Sequence, residues 1–286
     1  MLSELAARLL ETPPVLSAWS FALITSWLFG CCWGSFLNVC IWRLPRRESV
    51  VFVPSHCTSC GHPIAWYDNL PVLSFLVLRG CCRHCKKRYS ARYAVIEALM
   101  GLLFVLMLLG AVRFFGNPFM VLRLWAAAWY FCGCAYLDAR FRLIPDALSY
   151  PVLGYAVLLA LLCPEAWGTN CTAVTALAKT ARPALLWGAA PGLFVLIGKV
   201  LFRRAPLGWG DVKMMLVSGA LLGGTATLFI VWLGSTLGCL WGLLPMRRNH
   251  EKKPVSVPLA PFLAASAAVC LALSPYLQNL WRGIKS

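Results

Sequence analysis

Leu207-Gly208-Trp209-Gly210-Asp211-Val212-Lys213 sets an aspartate directly behind two glycines, at the edge of the apolar run Val212 to Leu222. That run reads as membrane-embedded. A carboxylate there costs roughly 3 kcal/mol on insertion scales, so an acid in such a place marks function more often than decoration. A second aspartate of this kind, Asp138, closes another apolar run. The two are expected to meet as an acid–base pair.

Working outward, the rest of the chain supplies the membrane. Of its 286 residues 60% are hydrophobic and 13% charged, with mean hydropathy +0.73. A soluble domain carries about 25% charged residues. Repeated apolar runs are each long enough to cross a hydrocarbon core of about 30 Å as a helix. The expected fold class is therefore an all-α polytopic membrane protein with about eight transmembrane helices. The short alternating segments of an outer-membrane barrel do not stand out.

The expected spans are Trp19–Leu44, Tyr93–Val112, Phe119–Leu137, Ala147–Cys163, Pro183–Phe202, a sixth from about Asp211, Ala226–Pro245 and Leu259–Leu280. Residues 1–17 hold a short amphipathic piece, Leu2 to Leu10, and a Pro13-Pro14 break. No basic n-region or small-residue cleavage site accompanies the first run, which reads as a retained helix. Three regions follow: 1–44 as an N-terminal segment with helix 1, 45–92 as a small polar domain, and 93–286 as a transmembrane domain of about seven helices.

The net charge of +16 does not indicate nucleic acid. Most Lys and Arg cluster in alternate inter-helix segments: around Arg43–Arg47, Arg79–Arg92, Arg140–Arg142, Arg203-Arg204 and Arg247–Lys253. That is the positive-inside pattern, and it assigns those segments to the cytoplasm. With the N-terminus outside, Asp138 and Asp211 fall at the cytoplasmic ends of spans three and six, on one face of the membrane.

Fourteen cysteines sort by position. Cys31, Cys32, Cys40, Cys132, Cys134, Cys239 and Cys270 lie in apolar runs and read as small packers. Cys163 and Cys171 flank an external loop and have the option of a disulfide. Cys57-Thr58-Ser59-Cys60 and Cys82-Arg83-His84-Cys85, 21 residues apart, have the spacing of a tetrahedral four-thiolate zinc site. So short a polar segment has too little apolar surface to fold unaided, and a metal staple answers that. Cys81 adjoins the second pair without completing a C-x-x-C; His56, His62 and His84 rank as flanking residues.

Other polar residues carry two readings each. Ser35 and Asn38 either hydrogen-bond neighbouring helices or line the site. Glu97 either snorkels to the interface or faces the site. Gly208 and Gly210 admit a substrate backbone close to Asp211. Lys213 either binds a carbonyl or phosphate or marks the interface. Asp146, just after Pro145, reads as a structural acid at a helix N-terminus.

Gly34-Ser35-Phe36-Leu37-Asn38, the paired C-x-x-C, Trp66-Tyr67-Asp68-Asn69-Leu70-Pro71, Arg92-Tyr93 with Glu97, Leu137-Asp138 with Ile144-Pro145-Asp146, and Gly208-Trp209-Gly210-Asp211-Val212-Lys213 together resemble the type IV prepilin peptidases, over about residues 30 to 265. The resemblance implies a bifunctional aspartic leader peptidase and N-methyltransferase of the GxGD type, in the bacterial cytoplasmic (inner) membrane. It implies Asp138 and Asp211 as the catalytic pair and Cys57, Cys60, Cys82 and Cys85 as zinc ligands in a cytoplasmic domain. The implied substrates are type IV prepilins or type II secretion pseudopilins, cut after a glycine on the cytoplasmic side. The new N-terminal residue, usually Phe, would be methylated with S-adenosylmethionine. No soluble-type glycine-rich fingerprint for that donor is present, so this half rests on the intact zinc region, which shortened peptidase-only relatives lack. Ala260 departs from the family's usual glycine in its G-P-F-L segment. The basic inner face should repel a basic leader, which is expected to dock on acidic lipid or on Glu48, Asp68 or Glu97.

Other classes fit less well. An ion-coupled transporter wants its acids near the midplane of broken, repeated helices. A zinc metalloprotease wants H-E-x-x-H and an open coordination position. A scaffold with a zinc knuckle leaves the two aspartates unexplained.

Overall fold

The computed structural model describes residues 13–203, 207–248 and 257–285. The expected amphipathic piece Leu2 to Leu10, Arg204, Lys252 and Lys253 lie outside the described residues. Among the described residues the structure is helical, with two isolated β-bridges and no strand. The helices are α1 (Pro13–Arg43), α2 (Leu73–Val77), α3 (Arg92–Arg113), α4 (Val121–Phe141), α5 (Asp146–Leu162), α6 (Ala173–Phe202), α7 (Trp209–Leu222), α8 (Gly224–Arg248) and α9 (Ala260–Lys285).

All but the short α2 correspond, in order, to the expected apolar runs. Five stretches are long and apolar enough to cross a membrane: Ala18–Arg46, Arg92–Arg113, Pro118–Phe141, Ala173–Leu201 and Gly224–Leu243. This is a multi-pass membrane protein. α5 and the Ala260–Leu273 part of α9 are shorter apolar helices. α7 has 14 residues, a length of about 21 Å, so it does not span a core of about 30 Å unaided.

One boundary differs from expectation. α6 begins at Ala173, well before Pro183. Thr172 and Thr175 form a capping box there, each side chain bonding the other's backbone amide, and that satisfies the first turn's free amides. Pro183 and Pro191 lie inside the helix. The loop after Cys163 is correspondingly short, and Cys163 and Cys171 both carry free thiols.

The chain divides into two compact units, Met1–Val39 with Val51–Gly110, and Cys40–Val50 with Ala111–Ser286. In the first, α1 and α3 approach through glycines. A Cβ on Gly30 would stand 2.7 Å from the Met100 carbonyl oxygen, and one on Gly34 2.7 Å from the Glu97 Cα. No side chain larger than hydrogen fits either place.

In the second unit α7 is the central element, packed by α4, α5, α6 and α8. Val212, Met214, Met215, Val217, Ser218, Gly219, Ala220 and Leu221 are all buried. A Cβ on Gly219 would lie 2.6 Å from the Pro183 carbonyl oxygen of α6. Close approach of α6 and α7 thus depends on that glycine. Both ends of α7 are tied down. At its C-terminal end, buried Arg123 of α4 donates to the Leu221 and Ala166 carbonyls and lies over the Trp167 ring.

Candidate active site and four-cysteine centre

Asp138 sits in the last turn of α4. The helix stops four residues on, where Arg142 takes a left-handed conformation and its amide donates to the Asp138 carbonyl. Extended Pro145 then caps α5, whose first residue is Asp146. Asp211 lies in the first turn of α7, behind the cap Gly208, where the amide-rich helix end favours an acid. Because α4 packs on α7 and Gly210 meets Ile144 just beyond the end of α4, the two acids stand at neighbouring helix ends. Both are half-buried.

Asp138 is held by backbone. Ala260, the first residue of α9, donates its amide to Asp138 Oδ2 at 3.0 Å. The Asp211 carboxylate folds back over its own cap: a Cβ on Gly208 would stand 3.1 Å from Asp211 Oδ2. Gly210 faces Ile144, whose Cβ would lie 3.1 Å from an added Cβ. Ile144 is buried there. Lys213 Nζ donates to the Ile144 carbonyl at 2.9 Å and to Asp146 Oδ1 at 2.6 Å. Lys213 and Gly210 therefore pin the α4–α5 connection to the start of α7, and that connection follows directly from Asp138. The Lys213 side chain is thus engaged within the protein, with Asp146 as its partner.

Ser35, Asn38 and Glu97 gather in the first unit. Asn38 Nδ2 donates to the Tyr93 carbonyl at 3.1 Å, and Ser35 bonds Glu97. Glu97 Oε2 also accepts the Val72 amide at 2.8 Å. All three join α1 to α3 and its neighbouring loop. Asp68 binds Arg83 through two hydrogen bonds of 2.7 and 2.6 Å, which hold its carboxyl below the usual range. Two of the three acids expected to receive a basic leader, Glu97 and Asp68, are thus already bonded internally; Glu48 is exposed.

Cys57, Cys60, Cys82 and Cys85 bring their Sγ atoms within 4.8 Å of one another. Four thiolates at 2.3 Å from a tetrahedral zinc stand about 3.8 Å apart, and Cys57 and Cys85 Sγ are 3.9 Å apart. The donor set fits. The two knuckles share one local design: the amide of Gly61 bonds the Cys57 carbonyl, and that of Lys86 bonds the Cys82 carbonyl. Gly61 and Lys86 both have positive φ. Amides of Ser59 and Cys60 bond the Cys57 sulfur and lower its thiol, while the adjoining Cys60 thiol is pushed up by its cysteine neighbours. Cys81 stays outside the cluster and bonds the Arg79 carbonyl. His62 and His84 stack on each other at 4.2 Å.

Two supporting groups escaped sequence reasoning. Arg123, a cation inside an apolar run, carried a usable signal. The Ala260 amide carried none, since a backbone donor has no residue signature.

Fold and site together define a class: multi-pass helical membrane proteins with an acid pair at helix ends and a four-cysteine centre in the first polar segment. Residues 28–111 match the bacterial peptidase A24 N-terminal domain, and residues 124–243 match the type IV leader peptidase family. Among relatives, a prepilin leader peptidase/N-methyltransferase of Aeromonas hydrophila is 31% identical over 291 residues, covering 93% of this chain and 94% of that protein. Proteins of the same name from Aeromonas salmonicida (strain A449) and Burkholderia pseudomallei (strain 1026b) are each 30% identical, covering 88% and 83% of this chain and 90% and 81% of theirs. The chain belongs to the type IV leader peptidase family. No solved structure matches it significantly.

Proposed function

We propose that this chain is an aspartic prepilin leader peptidase with N-methyltransferase activity, in the bacterial inner membrane with its site facing the cytoplasm. Its substrates are type IV prepilins or type II secretion pseudopilins. The observation that carries the reading is that Asp138, in the last turn of α4, and Asp211, in the first turn of α7, stand at helix ends joined by the contacts of Gly210 and Lys213 with Ile144, in a chain of this family. Two carboxylates so near share a proton and titrate as a pair.

The supports suggest how the pair divides its work. The Ala260 amide is a pure donor, and its bond to Asp138 suits a carboxylate. Asp138 is the base: it takes a proton from water as the water oxygen attacks the scissile carbonyl carbon. Asp211 is the acid: it gives its proton to the carbonyl oxygen. Collapse of the resulting diol breaks the C–N bond: one hydroxyl returns its proton to Asp211 as the carbonyl re-forms, and the proton on Asp138 passes to the leaving amine. Lys213 acts by positioning, since two of its three ammonium donors are engaged by Ile144 and Asp146.

Residues 45–92 form the cytoplasmic zinc-binding domain, with Cys57, Cys60, Cys82 and Cys85 as ligands of a structural ion. Four thiolates leave no open coordination position, so the ion they hold would staple the segment and take no part in hydrolysis. S-adenosylmethionine would supply the methyl group for the newly exposed amine.

The test is co-expression with a prepilin, comparing wild type with Asp138→Asn and Asp211→Asn, and weighing the product's N-terminus by mass spectrometry. The expected result is a methylated product from wild type and no cleavage by either variant. Normal cleavage by both would overturn the aspartyl mechanism, and cleavage without methylation would overturn the second activity.

A further inference from the structure

We propose that the strip Trp66–Val77 of the four-cysteine segment lies in the headgroup layer of the bilayer, held there by anionic phospholipid. It rests only on the multi-pass reading of the fold, and it adds a membrane-contacting surface outside the spans.

The strip is apolar and open. Trp66, Tyr67, Leu70, Leu73, Leu76 and Val77 are all exposed, with Trp66 at 79%, Leu76 at 64% and Val77 at 74%. α2 has five residues and buries only Ser74. Exposure of this degree in a polar segment calls for a partner. Three observations say which.

The first is depth. The Val72 amide, at the head of α2, bonds Glu97 Oε2 at 2.8 Å. Glu97 lies five residues inside α3, which begins at Arg92, or about 7.5 Å along the helix axis. Only a segment lying at the membrane surface can reach a carboxylate at that level. The contact is also forced: Val72 has φ 62 and ψ −49, and the Leu73 amide bonds the Pro71 carbonyl. That is a γ-turn of the rare, strained kind, adopted by a β-branched residue and held closed by Glu97.

The second is continuity. Val95, Leu99, Leu102 and Leu106 of α3 are about half exposed and recur at helical spacing, the pattern of a lipid-facing stripe. The strip begins at the level where this stripe begins.

The third is charge. Arg79, Arg83, Lys86, Lys87 and Arg88 follow the strip directly, and Asp68 within it is bound to Arg83. The surface is basic, which suits anionic headgroups at about 1 kcal/mol per residue and repels a basic leader. Trp66 and Tyr67, in edge-on contact, are the residue types enriched at that layer.

The test uses the full-length protein in nanodiscs, with and without phosphatidylglycerol. An environment-sensitive fluorescent amino acid is placed at Val77 and, as control, at Lys87. Zinc content verifies that each variant is folded. Lipids with a doxyl group near the headgroup should quench the Val77 probe several-fold more than the Lys87 probe, and more strongly with phosphatidylglycerol present. Quenching of Val77 by aqueous acrylamide and not by doxyl lipid would overturn the proposal. Protection from both quenchers would do so too, since protein would then cover the strip. Equal doxyl quenching with and without phosphatidylglycerol would overturn the role of charge. No substrate enters the measurement, so its failure is separate from any failure of the leader-peptidase reading.

Discussion

Replacing Lys213 with Met removes a positioning group while keeping the length of the side chain. Lys213 makes two bonds of unequal worth. Asp146 is 68% exposed, and an ion pair so open to solvent is worth about 0.2–1 kcal/mol. The Ile144 carbonyl sits at a buried residue, and a charge-assisted bond there is worth about 1.5–3 kcal/mol. The loss is therefore dominated by Ile144, and its consequence is a loosened α4–α5 connection directly beyond Asp138. If that loss falls on the transition state, kcat drops about 10- to 100-fold, at 1.4 kcal/mol per tenfold. KM should stay within about threefold, because no substrate bond is removed. Asp146→Asn should cost less than about fivefold, since it removes only the exposed partner. Lys213→Arg should recover part of the loss, because it restores charge with a different donor geometry. The assay is steady-state cleavage of purified prepilin in detergent or nanodiscs, with thermal unfolding measured in parallel. A rise in KM at unchanged kcat would refute the reasoning, because Lys213 would then be a substrate-binding cation. Asp146→Asn matching or exceeding Lys213→Met would refute it equally.

Three further outcomes are expected. Ala260→Pro deletes the amide that bonds Asp138 at a first helical position, where proline is tolerated; kcat should fall at least about tenfold, while Ala260→Val, which adds bulk and keeps the amide, should retain most activity. Cys57→Ser or Cys82→Ser should take zinc, measured by mass spectrometry of the purified protein, from about one ion per chain to none, whereas Cys81→Ser should leave it bound. Arg123→Met leaves the Leu221 and Ala166 carbonyls unbonded at about 1–3 kcal/mol each. Its signature should be a lower Tm in thermal unfolding, with Zn content unchanged.

What the sequence disclosed and what it withheld divide along a physical line. Acids are costly in a membrane unless they have work to do, so Asp138 and Asp211 stand out as soon as the apolar runs are marked, and the four cysteines stand out by their paired C-x-x-C spacing in the polar segment between two of those runs. Helix existence followed from the same runs. α6 lengthened beyond its expected start because the Thr172–Thr175 capping box outweighs Pro183 as a boundary signal. The bonds that hold the polar side chains are another matter. Asp138 is bonded by the Ala260 amide, Lys213 by the Ile144 carbonyl, and Glu97 by the Val72 amide. Every one of these partners is backbone, and every residue offers the same backbone groups, so composition and spacing cannot single them out. Helix ends are where such groups go unpaired. α4 ends at Asp138's turn, α7 begins at Asp211's, and α9 begins at Ala260. Three helix termini thus converge on the acid pair, each bringing an unpaired amide or carbonyl or a charge set against one. The departure of Ala260 from the family's usual glycine is mild for this reason: the group that meets Asp138 is the amide, which alanine and glycine share and proline lacks.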